Sequence, residues 1–231
     1  MRSNSTSVSR AAAAAQKIRL HHYAALLIAE LSFILIYPFF TGTSFRDTVM
    51  RGMAVFIFCA ALYAVLGRGR ITIIAFALGV PAILIHLINV IGYLEWLHTL
   101  SLTLGLVFLV FMTSVFVWSI VSDPSVTTDT LAGAVSAYML IGITFGIAYT
   151  LIDRLNPGAF RDTIEPAKHL SQSEFTFFSF VTLTTVGYGD IVPRDAHARS
   201  FAMIESVIGI MYPAVLIGRL VGLQGGKRDQ E

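Results

Sequence analysis

Six apolar runs, each close to the length of a bilayer crossing, decide most of what this chain can become. They cover roughly 23–40, 49–66, 71–93, 100–121, 131–152 and 201–223. A helix needs about 20 such residues to cross a hydrocarbon layer of roughly 30 Å. A seventh apolar stretch, 175–183, is too short to cross at about 1.5 Å per residue. Composition agrees: 55% of residues are hydrophobic and 13% charged, with mean hydropathy +0.74. Those values suit a polytopic membrane protein and exclude an ordinary soluble domain. The expected fold is therefore an all-α membrane protein with six transmembrane helices and one short re-entrant helix between the fifth and sixth.

Charge sets the orientation. Arg2, Arg10, Lys17 and Arg19 precede the first run, and Arg68 and Arg70 separate the second from the third. Basic loops favour the cytoplasm, so both termini are expected there, in a multi-pass protein of the cell membrane. The first run is too long for a signal peptide, and no small-residue cleavage site follows it. A net charge of +2 gives no reason to expect nucleic acid. Cys59, the single cysteine, lies in an apolar run and reads as a packing residue. The polar segment 121–129 holds Pro124 and divides the chain. The expected units are a cytoplasmic tail (1–20), a four-helix bundle (21–122), a second membrane unit (126–223) and a cytoplasmic tail (224–231). In this sequence nine residues follow Gly222, too few for a cytoplasmic ligand-binding domain.

Residues 183–193, LTTVGYGDIVP, can be neither helix nor strand, yet they lie between two apolar runs. The stretch before them, SQSE, carries a capping-box pattern in which Ser171 caps and Glu174 answers at the third helical position. A helix from there to about Leu183 dips into the membrane and stops. Its C-terminal end carries partial negative charge. Irregular backbone at membrane depth survives only when buried in protein or lining a watery path. Gly187 and Gly189 permit backbone angles that other residues disfavour. Alternating angles turn successive carbonyls the same way, and such rows from several copies replace a cation's hydration shell.

The segment TLTTVGYGD resembles the selectivity-filter signature of the potassium channel family. The resemblance covers about 130–223. It implies that the carbonyls of Thr185, Val186, Gly187 and Tyr188, with the Thr185 hydroxyl, coordinate dehydrated K+, that Gly189 completes the mouth, and that Thr184 and Asp190 support the filter. It also implies a homotetramer, because one filter copy per chain cannot enclose an ion. K+ is the permeant ion, membrane lipid the surroundings, and no cofactor is expected. Two positions depart from the family's pattern. The aromatic pair behind the filter is Phe177–Phe178, with no tryptophan N–H to donate, and Val181 stands where some members have a glutamate facing the aspartate. Thr182 is left as a candidate partner for the Tyr188 hydroxyl.

The last run fits an inner helix, with Gly209 at the family's hinge and Pro213 as a bend. Ile210, Ile217 and Val221, at helical spacing with Pro213, would line an apolar cavity. Gly218 and Gly222 form a G-x-x-x-G pair suited to close helix contact. Glu205, one turn before Gly209, reads as hydrogen-bonded behind the filter.

Residues 100–120 hold no charge at all. A voltage sensor needs several charges there, since one charge crossing the field gains about 2.3 kcal/mol per 100 mV. Glu30 and Arg51 lie within the bundle and read as a structural pair, with each other or with polar neighbours. His86 and Asn89 share a face and read as packing and hydrogen-bonding residues, with His21 and His22 at the interface. No catalytic constellation, zinc spacing or phosphate loop appears. The expected function is a K+ channel without steep voltage gating. The alternatives are a receptor-like module with a silent pore and a subunit of a K+ uptake transporter.

Overall fold

The computed structural model describes residues 22–40, 46–91, 94–122 and 128–228. The expectations for the tail 1–20, for His21 and for the side of the helix at residue 222 and beyond lie outside the described residues and side chains.

Helix α1 spans His22–Ile36 and passes into a 3-10 turn, Tyr37–Phe40. Pro38 explains the early stop, because the residue before a proline is disfavoured in α conformation. Helix α2 spans Arg46–Ala64 and α3 spans Arg70–Ile91. The turn between them uses Gly67 (φ 80°) and Gly69 (φ 60°). The Thr72 hydroxyl locks that turn by accepting from the Arg68 N–H at 3.0 Å and donating to the Val65 carbonyl at 2.6 Å. Helix α4 spans Glu95–Ser122 and α5 spans Thr128–Leu155. A short helix, α6, spans Gln172–Leu183, and α7 spans Ala196–Arg228.

Among the described residues four segments are long and apolar enough to cross a membrane: Arg70–Asn89, Glu95–Ser122, Asp129–Leu155 and Ala196–Arg219. The apolar parts of α1 and α2, Tyr23–Ile36 and Thr48–Ala64, fall below that length. The expectation of six full-length spans is thus met in four helices. The other two apolar runs form shorter helices.

Helix α5 is the centre of the molecule. It packs against α1, α4, α6 and α7. One buried cluster fills the space between α1, α2, α3, α4 and α5, with Leu26, Val65, Phe108, Met112, Phe116 and Leu140 fully enclosed. A second cluster lies at the opposite end of α5, around Tyr149, Phe160, Phe175, Phe178 and Ile191. It sits under an element the sequence reading did not anticipate. Strand β1 (Phe160–Asp162) pairs antiparallel with β2 (Ile191–Pro193), Arg161 opposite Val192.

Hydrogen bonds sort the two ends of the bundle. Tyr23, Arg68 and Ser119 meet at one end, where Arg219 of α7 also donates to the Ile120 carbonyl. Arg51, His86, Asn89, His98 and Ser101 meet at the other, where Arg154 of α5 joins Thr99 and Glu95 of α4. The start of α1 and the later part of α7 therefore lie at the same end.

Candidate functional site

The site begins with the local folding of α6. Ser171 sits at its N-cap in extended conformation. The Glu174 carboxylate accepts from the Ser171 N–H and from its hydroxyl, both at 2.7 Å, which is the Glu half of the expected capping box. Lys168 pairs with Glu174 at 2.5 Å. Burial alone would raise the Glu174 carboxyl; the hydrogen bonds from Lys168 and Ser171 outweigh it and hold the group below its ordinary range.

The helix is seated in a groove of glycines. An added Cβ at Gly142 of α5 would meet the Phe180 ring at 2.9 Å, and one at Gly146 would meet the Thr176 Cα at 2.8 Å. Residues 142 and 146 form a G-x-x-x-G pair, so the backbones of α5 and α6 approach closely along one face. At the far end the same logic holds for α7. A Cβ at Gly209 would lie 1.9 Å from the Leu183 carbonyl oxygen. Gly209 is therefore required for close approach to the end of α6, and α7 runs through it as continuous helix. Its carbonyl is the one left without a partner by Pro213, four residues on, because proline has no N–H.

Beyond Leu183 the chain leaves the helix but stays tied to it. The Val181 carbonyl accepts from both Val186 N–H (2.9 Å) and Gly187 N–H (3.3 Å), and the Thr182 carbonyl from Thr185 N–H (3.0 Å). Thr184 donates its hydroxyl to the Phe180 carbonyl at 2.6 Å. Positive φ then recurs at every second residue: Thr185 (61°), Gly187 (59°) and Gly189 (79°). The two glycines carry this without strain. Thr185 does not, and a non-glycine residue held there costs on the order of 1–3 kcal/mol. Residues 184 to 189 are all exposed.

The exit of this loop is pinned by the ribbon. Thr163, just after β1, donates its N–H to the Asp190 carbonyl at 2.7 Å and its hydroxyl to the Gly189 carbonyl at 2.9 Å. The Asp190 carboxylate accepts from the N–H of Ile191 at 2.9 Å. The aromatic pair behind the loop is split. Phe177 stacks on the Tyr188 ring, centroids 6.2 Å apart and planes 4° from parallel. Phe178 turns away to meet Tyr149 and Phe160 edge-on. Within the chain Thr182 contributes its carbonyl to the loop, and the Tyr188 ring is largely exposed.

Glu205 supplies the link that ties the assembly together. It is fully buried on α7, beside the Tyr149 hydroxyl of α5 and the Ser179 hydroxyl of α6, each at 2.5 Å. Ser179 also reaches the Gly142 carbonyl at 2.6 Å. Three helices thus meet at one carboxyl. Sequence reading placed Glu205 behind the filter but named neither partner. It also passed over the Gly142–Gly146 pair, which the spacing rule applied to Gly218 and Gly222 would have found. A Cβ at Gly218 would meet nothing within 4 Å. Ile210, Ile217 and Val221 are exposed on α7 and Pro213 is half-buried.

In the bundle Glu30 and Arg51 are not joined. The Glu30 carboxyl is buried facing Ser136 of α5. Arg51 donates to the Asn89 carbonyl at 3.4 Å, and His86 lies between Ser101 (3.2 Å) and the Arg51 carbonyl (3.3 Å). Asn89 meets His98 at 3.0 Å. Arg51 thus has a polar neighbour in place of the ion pair, while the buried Glu30 carboxyl makes no hydrogen bond among the described residues.

A helix, a short seated helix, a loop of alternating backbone hand and a second long helix define the class of an ion-channel pore domain. Residues 138–223 match the family model described as ion channel. Over 85 residues, 37% of this chain, the sequence is 32% identical to two pore potassium channel c of Oryza sativa subsp. japonica. The chain spans 17% of the length of that relative. No solved structure matches the chain. Over this segment the chain is similar to the pore domain of ion channels, a potassium channel among them.

Proposed function

We propose that the protein is a K+-selective channel, assembled as a homotetramer in the cell membrane, whose opening depends only weakly on voltage. The observation that carries this reading is the recurrence of positive φ at Thr185, Gly187 and Gly189. Alternating hand lets the carbonyls of Thr185, Val186, Gly187 and Tyr188 face one axis, where four copies replace the hydration shell of K+. The Thr185 hydroxyl adds a further ligand and Gly189 the outer mouth. Thr184, Val181, Thr182 and Phe177 support the loop from behind, with Asp190 at its exit and Phe178 in the packing beneath.

In this reading Ile210, Ile217 and Val221 line the cavity below the filter, with Gly209 and Pro213 where α7 bends. Helices α1 and α2 cross the membrane with the other four long elements, giving six spans with both termini cytoplasmic. The apolar α7 side chains Val207 and Val215, outside that cavity set, are exposed in one copy and open to contact with another.

The test is flux from purified protein in liposomes. K+ and Rb+ should pass far faster than Na+. Gly187→Val should abolish flux while leaving the protein folded, because a β-branched residue resists φ near 59°. Equal Na+ and K+ permeability in the unmodified protein would refute the reading.

A further inference from the structure

A groove of about 660 Å³ runs along the outside of α4 at the end where Arg68 lies. It is lined by Ile71, Phe111, Ser114, Val115 and Trp118, with Arg68, Ser119 and Ser122 towards the end of α4, which forms its mouth. Helix α4 has 28 residues, about 42 Å at the standard rise. That exceeds the hydrocarbon thickness, so the last turn, which holds Ser119 and Ser122, lies at the level of the headgroups.

Arg68 is fixed at this mouth. It donates to the Ser119 hydroxyl at 3.1 Å and to the Tyr23 hydroxyl, and its guanidinium lies 5.4 Å from the centre of the Tyr23 ring. These partners are neutral. Among the described residues no carboxylate pairs with Arg68. A guanidinium has five N–H donors in a planar fork suited to a phosphate. A positive head above an apolar channel, beside hydroxyls, is complementary to an anionic amphiphile. Trp118, 73% exposed, stands where aromatic side chains favour the membrane interface.

We propose that this groove binds an anionic phospholipid, its phosphodiester held by Arg68 with Ser119 and Ser122, and one acyl chain lying along Ile71, Phe111, Val115 and Trp118. The site joins the α2–α3 turn to the end of α4, so an occupied groove braces the bundle at the face where α7 also contacts α4 through Arg219 and Ile120.

The chain holds two tryptophans, so Trp96→Phe leaves Trp118 as the only indole, already seated in the groove. The assembled protein is reconstituted in mixtures of phosphatidylcholine and brominated phosphatidylglycerol, then with the bromine on the phosphatidylcholine instead. Brominated phosphatidylglycerol should quench Trp118 beyond its mole fraction. Arg68→Gln should lower that preference about fivefold, the factor expected for one arginine at an anionic surface, and Arg68→Lys should retain most of it. Val115→Phe, which fills the groove and leaves Arg68 in place, should reduce quenching by both lipids. Equal quenching by the two lipids would overturn the proposal, as would a preference untouched by Arg68→Gln. Absence of quenching by either would mean that another protein surface covers the groove. Displacement of the brominated lipid by soluble glycerol phosphate would assign the site to a free phosphoester.

Discussion

The Glu205 carboxyl on the last helix contacts the Ser179 hydroxyl on the short helix at 2.5 Å, with the Tyr149 hydroxyl on its other oxygen. The position of the short helix before the loop therefore depends on one buried group of the helix behind it. Glu205→Ala should leave both hydroxyls without that partner and open a void. Each orphaned buried group costs about 1–3 kcal/mol. The expected result is a large loss of thermal stability in the assembled protein together with loss of K+ flux. Glu205→Gln, which keeps the shape and can pair with both hydroxyls, should be much milder. Equal stability and flux in wild type and Glu205→Ala would refute the link.

The glycines rank by what a methyl group would strike. Gly209→Ala faces the Leu183 backbone at 1.9 Å and Gly146→Ala the Thr176 backbone at 2.8 Å, whereas Gly142→Ala meets the Phe180 ring at 2.9 Å and Gly218→Ala meets nothing. Backbone cannot step aside as a ring can. Overpacking costs typically about 1–3 kcal/mol. The order of damage to stability should be Gly209, Gly146, Gly142, with Gly218 near neutral. A measured order with Gly142 worse than Gly209 would contradict the packing.

That ranking also marks what the sequence makes legible. The loop 184–190 could be read because its backbone angles are a local property, and glycine spacing announces those directly, whereas the strand Ile191–Pro193 that follows it was not expected. Even so, Thr185 shares the positive φ of Gly187 and Gly189, and nothing in a threonine signals that. The early end of α1 was written in Pro38, inside a run long enough on hydropathy alone. The ribbon of Phe160–Asp162 with Ile191–Pro193 joins segments about thirty residues apart through three-residue strands, too short for alternation to register. The partners of Glu205 come from two other helices, and no periodicity along one helix reveals a partner on another.

Acid should weaken the outer end of the short helix. Glu174 is held below the ordinary carboxylate range, and hydrogen bonding to Glu174 holds Lys168 above the ordinary amine range. A depressed carboxylate contributes stability above its unfolded pKa and loses it as pH falls through the folded value. A raised amine contributes below its unfolded pKa and loses that contribution as pH rises through its own folded value. The pair is therefore intact across neutral pH and fails on the acid side, below the ordinary carboxylate range. K+ flux measured against pH on the loop side should decline there. Lys168→Gln should move the decline to higher pH, since the carboxylate loses the ammonium that hydrogen-bonds it. A shift to lower pH would contradict the assignment.

Voltage should have little hold on this pore. Within α4 no arginine or lysine occurs, and Arg68 is tied at the bundle's end to Tyr23 and Ser119. Charge movement of several units per subunit would be needed for steep gating. Gating currents recorded from the reconstituted channel should be near zero. Block by an internal ion can bend a current–voltage curve without moving any protein charge, so charge movement is the decisive quantity.

The gate itself should lie in the filter. Thr185 is held at φ 61°, a strained angle that the surrounding hydrogen bonds must maintain. The Asp190 carboxylate, at the exit, is tied only to the adjoining Ile191 N–H among the bonds described, and Val181 and Phe177 offer it no hydrogen-bonding side chain. Below, Pro213 removes the helical partner of the Gly209 carbonyl, and a helix so weakened bends away from the axis more readily than an intact one. The lower cavity should then stay open while the filter switches. Cysteines placed at Ile217 or Val221, both exposed on α7, are the reporters. Cys59 is free and exposed, so the substitutions belong in a Cys59→Ala background. A thiol reagent applied from the side of the α7 C-terminus should react at similar rates in conducting and non-conducting channels. Strongly state-dependent reaction at Val221, with Ile217 following, would place the gate on α7 instead, and Gly218 would then be its point of contact between copies.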